Sequence, residues 1–139
     1  MPWKKIVRLY APPVLYAGLI FILSSIPQVN LPDLGFDFFD KVLHAIEYAV
    51  FAFLIIRAFS PDIYGSVRFP VLAAALVLSA GYGGLDEYHQ SFVPGRLADF
   101  ADFIFDFLGT LIGLAVFYWF RGRNDTKQPS AGQTQSMSL

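Results

Sequence analysis

Hydrophobic and polar positions along this chain fall in long blocks, not in the short alternation of a half-buried strand. Four apolar stretches run roughly over 10–26, 42–60, 69–92 and 102–120. Each is close to the ~20 helical residues that cross a bilayer core. Between them lie Pro27-Gln28-Val29-Asn30, Ser60-Pro61-Asp62 and Val93-Pro94-Gly95, residues that stop helices or turn the chain. The pattern predicts an all-α polytopic membrane protein, a four-transmembrane-helix bundle over residues 1–120. Pro12-Pro13 reads as a helix start, where a missing N–H costs nothing. The segment 121–139, rich in Ser, Gln, Thr and Gly, reads as a disordered cytoplasmic tail. A cleaved signal peptide competes for the first stretch, because Lys4, Lys5 and Arg8 precede it. No clean small-x-small cleavage site follows, which favours a retained span.

Composition narrows the class. Charged residues make up 15% and hydrophobic ones 55% of the chain, where a soluble domain carries about 25% charged residues. The deficit points to lipid as the solvent. A net charge of −1 provides no basic field for nucleic acid. With no cysteine, disulfides, thiolate metal sites and cysteine nucleophiles are excluded together. Eight of the ten Lys and Arg residues fall in the N-terminal segment, the second connection and the tail. By the positive-inside rule both termini are then cytoplasmic. Trp3, Tyr10, Tyr118 and Trp119 sit near span ends, where amphipathic rings favour the interface.

The informative positions are the polar ones inside the spans, since an ionisable side chain at mid-bilayer costs roughly 2.5–3.5 kcal/mol on insertion scales. The second span carries His44, Glu47 and Tyr48, the third ends in Asp86, Glu87, His89 and Gln90, and the fourth opens with Asp99, Asp102 and Asp106. At 1.5 Å per residue, Glu87 lies about 27 Å along the third span from Phe69. His44 lies about 24 Å and Glu47 about 20 Å from the inner end of the second span, and Asp106 about 22 Å from Arg121. Three helices thus bring polar groups to the outer third of the membrane. Asp99, Asp102, Asp106, Gly109 and Gly113 follow steps of three and four, which is one helical stripe facing the bundle. Its lower part, Gly109-x-x-x-Gly113, is a small-residue pattern for close helix packing, within one chain or between two. The plain alternative is that the acids pair with Lys41, Arg96 or histidine and lock the helices. Polar groups contribute only about 0.6 kcal/mol on average as helix glue, too little to account for so many acids in one place. His89, near a loop, reads as solvated.

Asp40-Lys41-x-x-His44-x-x-x-Tyr48, followed by Glu87-x-x-Gln90-x-x-x-x-x-Arg96-x-x-Asp99-x-x-Asp102 and Asp106-x-x-Gly109-x-x-x-Gly113, resembles the VanZ-like family. The ordered set covers 40–113. Asp106 stands where the family usually shows Asn, and Asp86 beside Glu87 adds a further acid. The resemblance implies a bacterial cell (inner) membrane protein of the envelope, with the teicoplanin-resistance association from which the family takes its name.

Three functions follow as expectations. The first is an intramembrane enzyme acting on an amphiphilic envelope substrate at the outer face. Glu87 or Glu47 would be its acid or base and His44 the proton partner, since burial moves a carboxyl toward the working pH. Arg96 would grip a phosphate or carboxylate, oriented by Asp99 and Asp102. Gln90, Asp106, Lys41 and Tyr48 complete the binding set. A metal-assisted variant would use His44, Glu47, Glu87 and Asp102, although His44-x-x-Glu47 alone is a weak motif. The second function is a non-catalytic binding module for a lipid headgroup, a glycopeptide or a partner protein, with Tyr48, Tyr82 and Tyr88 lining the pocket. The third is proton or ion passage, disfavoured because the inner half of the spans reads as apolar. The partners expected are membrane lipids and an amphiphilic envelope substrate or glycopeptide. The sequence specifies no cofactor and no oligomeric state.

Overall fold

The computed structural model describes residues 2–27, 37–60, 67–96 and 98–125. They form four helices: α1 (Pro2–Ser24), α2 (Asp37–Phe59), α3 (Phe69–Gln90) and α4 (Phe100–Asp125). Each contains a segment long and apolar enough to cross a membrane, and the described residues include no strand. The chain is a multi-pass membrane protein of the all-α class.

Two boundaries differ from the sequence reading. Pro12 and Pro13 lie inside α1, not at its start. They deprive the carbonyls of Arg8 and Leu9 of their i→i+4 donors, a defect tolerated in membrane helices when other groups satisfy the freed carbonyls. The helix start lies ten residues earlier, at Pro2, where a proline belongs. At the other end α4 continues to Asp125. The remainder of the tail, the 28–36 and 61–66 connections and the Asp37 side chain lie outside the described residues.

α2 and α4 make the most extensive interface, and among the described residues α1 does not touch α4. Lipid tails are as apolar as leucine, so close packing, not water exclusion, must join these helices. Gly109 and Gly113 supply it. A Cβ on Gly109 would collide with the backbone of Ala45, and one on Gly113 with that of Ala49. The close packing therefore lies within one chain, between α4 and α2. Above and below this contact sit Tyr48, Ala52, Ile56 and Leu114, joined by Ile20 of α1 and Ala75 of α3. Large apolar side chains such as Leu15, Val77 and Leu85 point outward, the arrangement expected where the surroundings are lipid.

Hydrogen bonds tie the other helices on. Tyr82 of α3 donates to the carbonyl of Ala17 at 2.7 Å. Ser79 of α3 and Thr110 of α4 share a buried hydrogen bond at 2.8 Å. His89, partly buried, is anchored to α1: its ring stacks on Phe21 at 4.5 Å and its Nε2 lies 2.9 Å from Ser25 Oγ. The Ser25 hydroxyl proton goes to the Phe21 carbonyl at 2.7 Å, so Nε2–H is the donor to Oγ.

After α3 the chain reverses in a turn closed by Arg96 N–H to the Val93 carbonyl at 3.1 Å. Pro94 occupies the first central position and Gly95 the second, with φ 81°, as a type II turn requires. This turn carries Arg96 back toward the end of α1.

Candidate functional site

Helical periodicity gives each of three helices one polar face, and packing brings those faces together. On α2, His44, Tyr48 and Phe51 are buried and Glu47 half-buried; these positions share a face. On α3, Ser79, Gly83, Asp86, Glu87 and Gln90 form the buried stripe. On α4 it is Asp102, Asp106, Gly109, Thr110 and Gly113.

His44 Nδ1 donates to Asp106 Oδ1 at 2.9 Å, across the α2–α4 contact and deep in the bundle. Asp106 is fully buried, and its Oδ2 has no hydrogen-bond partner among the described residues. Glu87 is 7% exposed. Its Oε2 accepts the Asp99 backbone N–H at 3.0 Å, whereas its Oε1 has no partner among the described residues. The Tyr48 hydroxyl, on a completely buried ring, has none either. A buried polar atom left unpaired costs about 1–3 kcal/mol, so three in one neighbourhood mark an unusual centre. Gly83 makes the room for it. A Cβ there would lie 3.1 Å from Asp106 Oδ2 and 3.3 Å from the Tyr48 ring.

A second cluster stands nearer the surface. Lys41 Nζ lies 2.7 Å from Asp99 Oδ2 and 2.9 Å from Asp102 Oδ1. Asp99 also caps α4, its Oδ1 accepting the Ala101 N–H at 2.8 Å, the usual service of an N-cap aspartate. The Lys41 hydrogen bond, helped by the Ala101 N–H, holds the Asp99 carboxyl below the usual carboxylate range. Asp99 and Asp102 therefore do not orient Arg96, because Lys41 takes both. Arg96 instead caps the end of α1, donating from Nε to the Ile26 carbonyl at 3.2 Å and from a terminal nitrogen to that of Leu23 at 3.1 Å. Its other terminal nitrogen donates to Gln90 Oε1 at 3.3 Å. Orphan carbonyls at a helix end attract such a cation. Gln90 Nε2 in turn donates to Asp86 Oδ2 at 2.9 Å.

Two cavities adjoin these groups. One, of about 320 Å³, lies between α1 and α2 and is lined by Leu19, Leu23, Leu43 and Ile46, with Asp40, His44, Glu47, Gln90 and Arg96 among its polar residues. Its apolar wall is exposed on the outside of the bundle. The other, of about 420 Å³, lies between α3 and α4 and includes Glu87, Tyr88 and Asp99. The three tyrosines expected to line one pocket are thereby separated. Tyr48 is sealed in the core, Tyr82 is bonded to α1, and Tyr88 faces the second cavity. Geometry also regroups the metal-ligand candidates. His44 and Glu87 come together with Asp106, and His44 with Asp40 and Asp102, each set with its ligand atoms within 4.8 Å; Glu47 joins neither.

Against known proteins, a family profile described as VanZ/LLP1 matches residues 6–121. The chain belongs to the VanZ/LLP1 family. The match takes in α2 and α3 whole, most of α1 and α4, and every residue of both clusters. No curated protein and no solved structure matches the chain, so the VanZ/LLP1 assignment rests on the profile together with the architecture.

Sequence reasoning missed Ser79, Thr110, Gly83 and the Ser25–His89 link. Ser79-x-x-x-Gly83 repeats on α3 the small-residue spacing recognised on α4, and that signal was open to reading. The bond from Ser25 to His89 had none, because it joins residues 64 apart in the chain.

Proposed function

We propose that this VanZ/LLP1 protein is an enzyme of the bacterial inner membrane that acts on an anionic amphiphile of the envelope at the outer face. The observation that carries the reading is the cavity between α1 and α2. One wall is aliphatic and open toward lipid, and the other presents His44, Glu47, Gln90 and Arg96. An acyl chain fits the first wall and a phosphate or carboxylate head the second. Arg96 uses only part of its donor set on α1 and Gln90, which leaves guanidinium N–H capacity for an anion. Glu47, half-buried in the cavity, is the acid or base. His44 is its proton partner, held by Asp106 at Nδ1 so that Nε2 is free to exchange a proton, a carboxylate–histidine pairing familiar from general-base catalysis. Both termini are placed in the cytoplasm by the distribution of Lys and Arg, which puts the clusters on the outer side. That face is also where a lipoglycopeptide meets the cell, which gives the resistance association a place in the same reading.

The test is turnover. Protein reconstituted into liposomes of bacterial lipid extract is followed by mass spectrometry over time, with Glu47→Gln and Arg96→Gln alongside. The enzyme reading expects a lipid species to be converted in molar excess over protein. Glu47→Gln should slow this by about 10²–10⁴-fold. A lipid that is retained one-to-one and never altered would instead establish a binding module and end the catalytic reading.

A further inference from the structure

The centre formed by Asp106, Glu87 and His44 is not accounted for by acid–base work in the α1–α2 cavity. Glu87 faces the other cavity, and its Oε1, Asp106 Oδ2 and the Tyr48 hydroxyl have no hydrogen-bond partner among the described residues. Each of the three side chains is more than nine-tenths buried. Among the described residues, one histidine N–H and one backbone N–H serve the two carboxylates, and Lys41 and Arg96 are engaged elsewhere. Lys41 belongs to Asp99 and Asp102, and Arg96 to the end of α1 and Gln90.

We propose that His44, Glu87 and Asp106 form a binding site for one divalent transition-metal ion, Zn²⁺ or Mn²⁺, with the Tyr48 hydroxyl beside it. The ligand atoms of the trio already lie within 4.8 Å of one another, and tetrahedral ligands at the usual bond lengths lie about 3.3 Å apart. Small side-chain movements close that difference. Two carboxylates and a neutral imidazole around a dication give a neutral unit, which a low-dielectric interior favours over unpaired carboxylates. The ion takes the place of the proton between His44 Nδ1 and Asp106 Oδ1; that proton moves to Nε2 if the ring is neutral and is released if it is an imidazolium. One nitrogen with carboxylate oxygens suits Zn²⁺ or Mn²⁺ and is too small a set for Ca²⁺, which takes six to eight oxygens. Glu87 Oε2 is steadied by the Asp99 N–H, the kind of outer bond that orients a ligand. The cavity between α3 and α4, with exposed Asp99 at its edge and Glu87 in its wall, supplies the way in. The alternative trio of Asp40, His44 and Asp102 is poorer, because Asp40 is exposed and Asp102 is bound by Lys41.

The site shares His44 and Asp106 with the catalytic reading, but its readout requires no substrate. With the ion bound, Nδ1 of His44 becomes a ligand and acid–base work in the α1–α2 cavity falls to Glu47. Detergent-purified full-length protein, stripped with chelator and reloaded with ZnCl₂ or MnCl₂, is gel-filtered and analysed for metal, and its melting is recorded with and without the ion. About one equivalent per chain and a raised Tm are expected. Glu87→Gln and Asp106→Asn should each weaken retention by at least about tenfold, whereas Glu47→Gln should retain metal as the wild type does. Co²⁺-loaded wild type should show the visible bands of a tetrahedral site, a readout that needs no variant to fold. The proposal is overturned if wild type holds no stoichiometric metal, if Ca²⁺ binds as well as Zn²⁺ and Mn²⁺, or if Glu47→Gln loses metal along with the other two. Loss of turnover with metal content intact would instead strike the catalytic reading and leave the metal site standing.

Discussion

Four glycines of similar helical setting should answer an added methyl group with opposite signs. At Gly109 a Cβ would lie 2.8 Å from the Cα and carbonyl carbon of Ala45, and at Gly113 3.0 Å from the Cα of Ala49, with the carbonyl oxygens nearer still. Carbon atoms pack best at about 3.5–4.0 Å, so α2 and α4 must separate by about 1 Å in Gly109→Ala. The obstacle is backbone, which no rotamer change can relieve. Overpacking of this kind costs typically about 1–3 kcal/mol. The same change gains about 0.5–1 kcal/mol from the helix preference of Ala over Gly, leaving a net loss of up to about 2.5 kcal/mol per site. The double variant should lose less than the sum, because one separation relieves both contacts. Gly18 and Gly81 have nothing within 4 Å of the added atom, so Ala there should leave stability unchanged or raise it by up to about 1 kcal/mol. Reversible unfolding in mixed micelles, followed by circular dichroism, measures all four. Equal midpoints for Gly109→Ala and Gly81→Ala would refute the close contact of α2 with α4.

Further outcomes follow from three named contacts. Lys41→Met strands the largely buried Asp102 and should destabilise by about 1–3 kcal/mol, the lower end reflecting partial exposure; Asp99→Asn should be milder than Asp102→Asn in the same melt. Because Lys41 lowers the Asp99 pKa, this pair is at full strength at neutral pH and is lost only as pH falls below the usual carboxylate value of about 3.9; Asp99→Asn should flatten that acid limb, and an unchanged limb would count against the pairing. Ser79→Ala and Thr110→Val each leave a hydroxyl unpaired, and a double-mutant cycle should give a coupling of about 0.6–1.7 kcal/mol, where zero would remove the bond. His89→Phe keeps the stack on Phe21 but drops the bond to Ser25, so it should cost about 1 kcal/mol and speed proteolysis near the end of α1, while melting indistinguishable from wild type would make that link dispensable.

The hydropathy pattern carried the fold because lipid leaves a hydrophobic chain few options. Each span must satisfy its own backbone, so length and polarity alone specify four helices. Helical periodicity also carried facing: His44 with Glu47, and Asp102 with Asp106 and the two glycines, share stripes that any straight helix enforces. What periodicity could not supply was pairing between helices, which depends on rotation and on residues distant in sequence. Lys41 meets Asp99 and Asp102 58 and 61 residues away, and through that choice Arg96 is released to cap α1. The register of α2 against α4 is set by two glycines on two alanine backbones, and this register selects Asp106, not Glu47, as the third member beside His44 and Glu87. Residue types and depth were local properties and therefore legible in the sequence. Which acid meets which base was decided by packing, because in a helix bundle the closest backbone contact determines which side chains face one another.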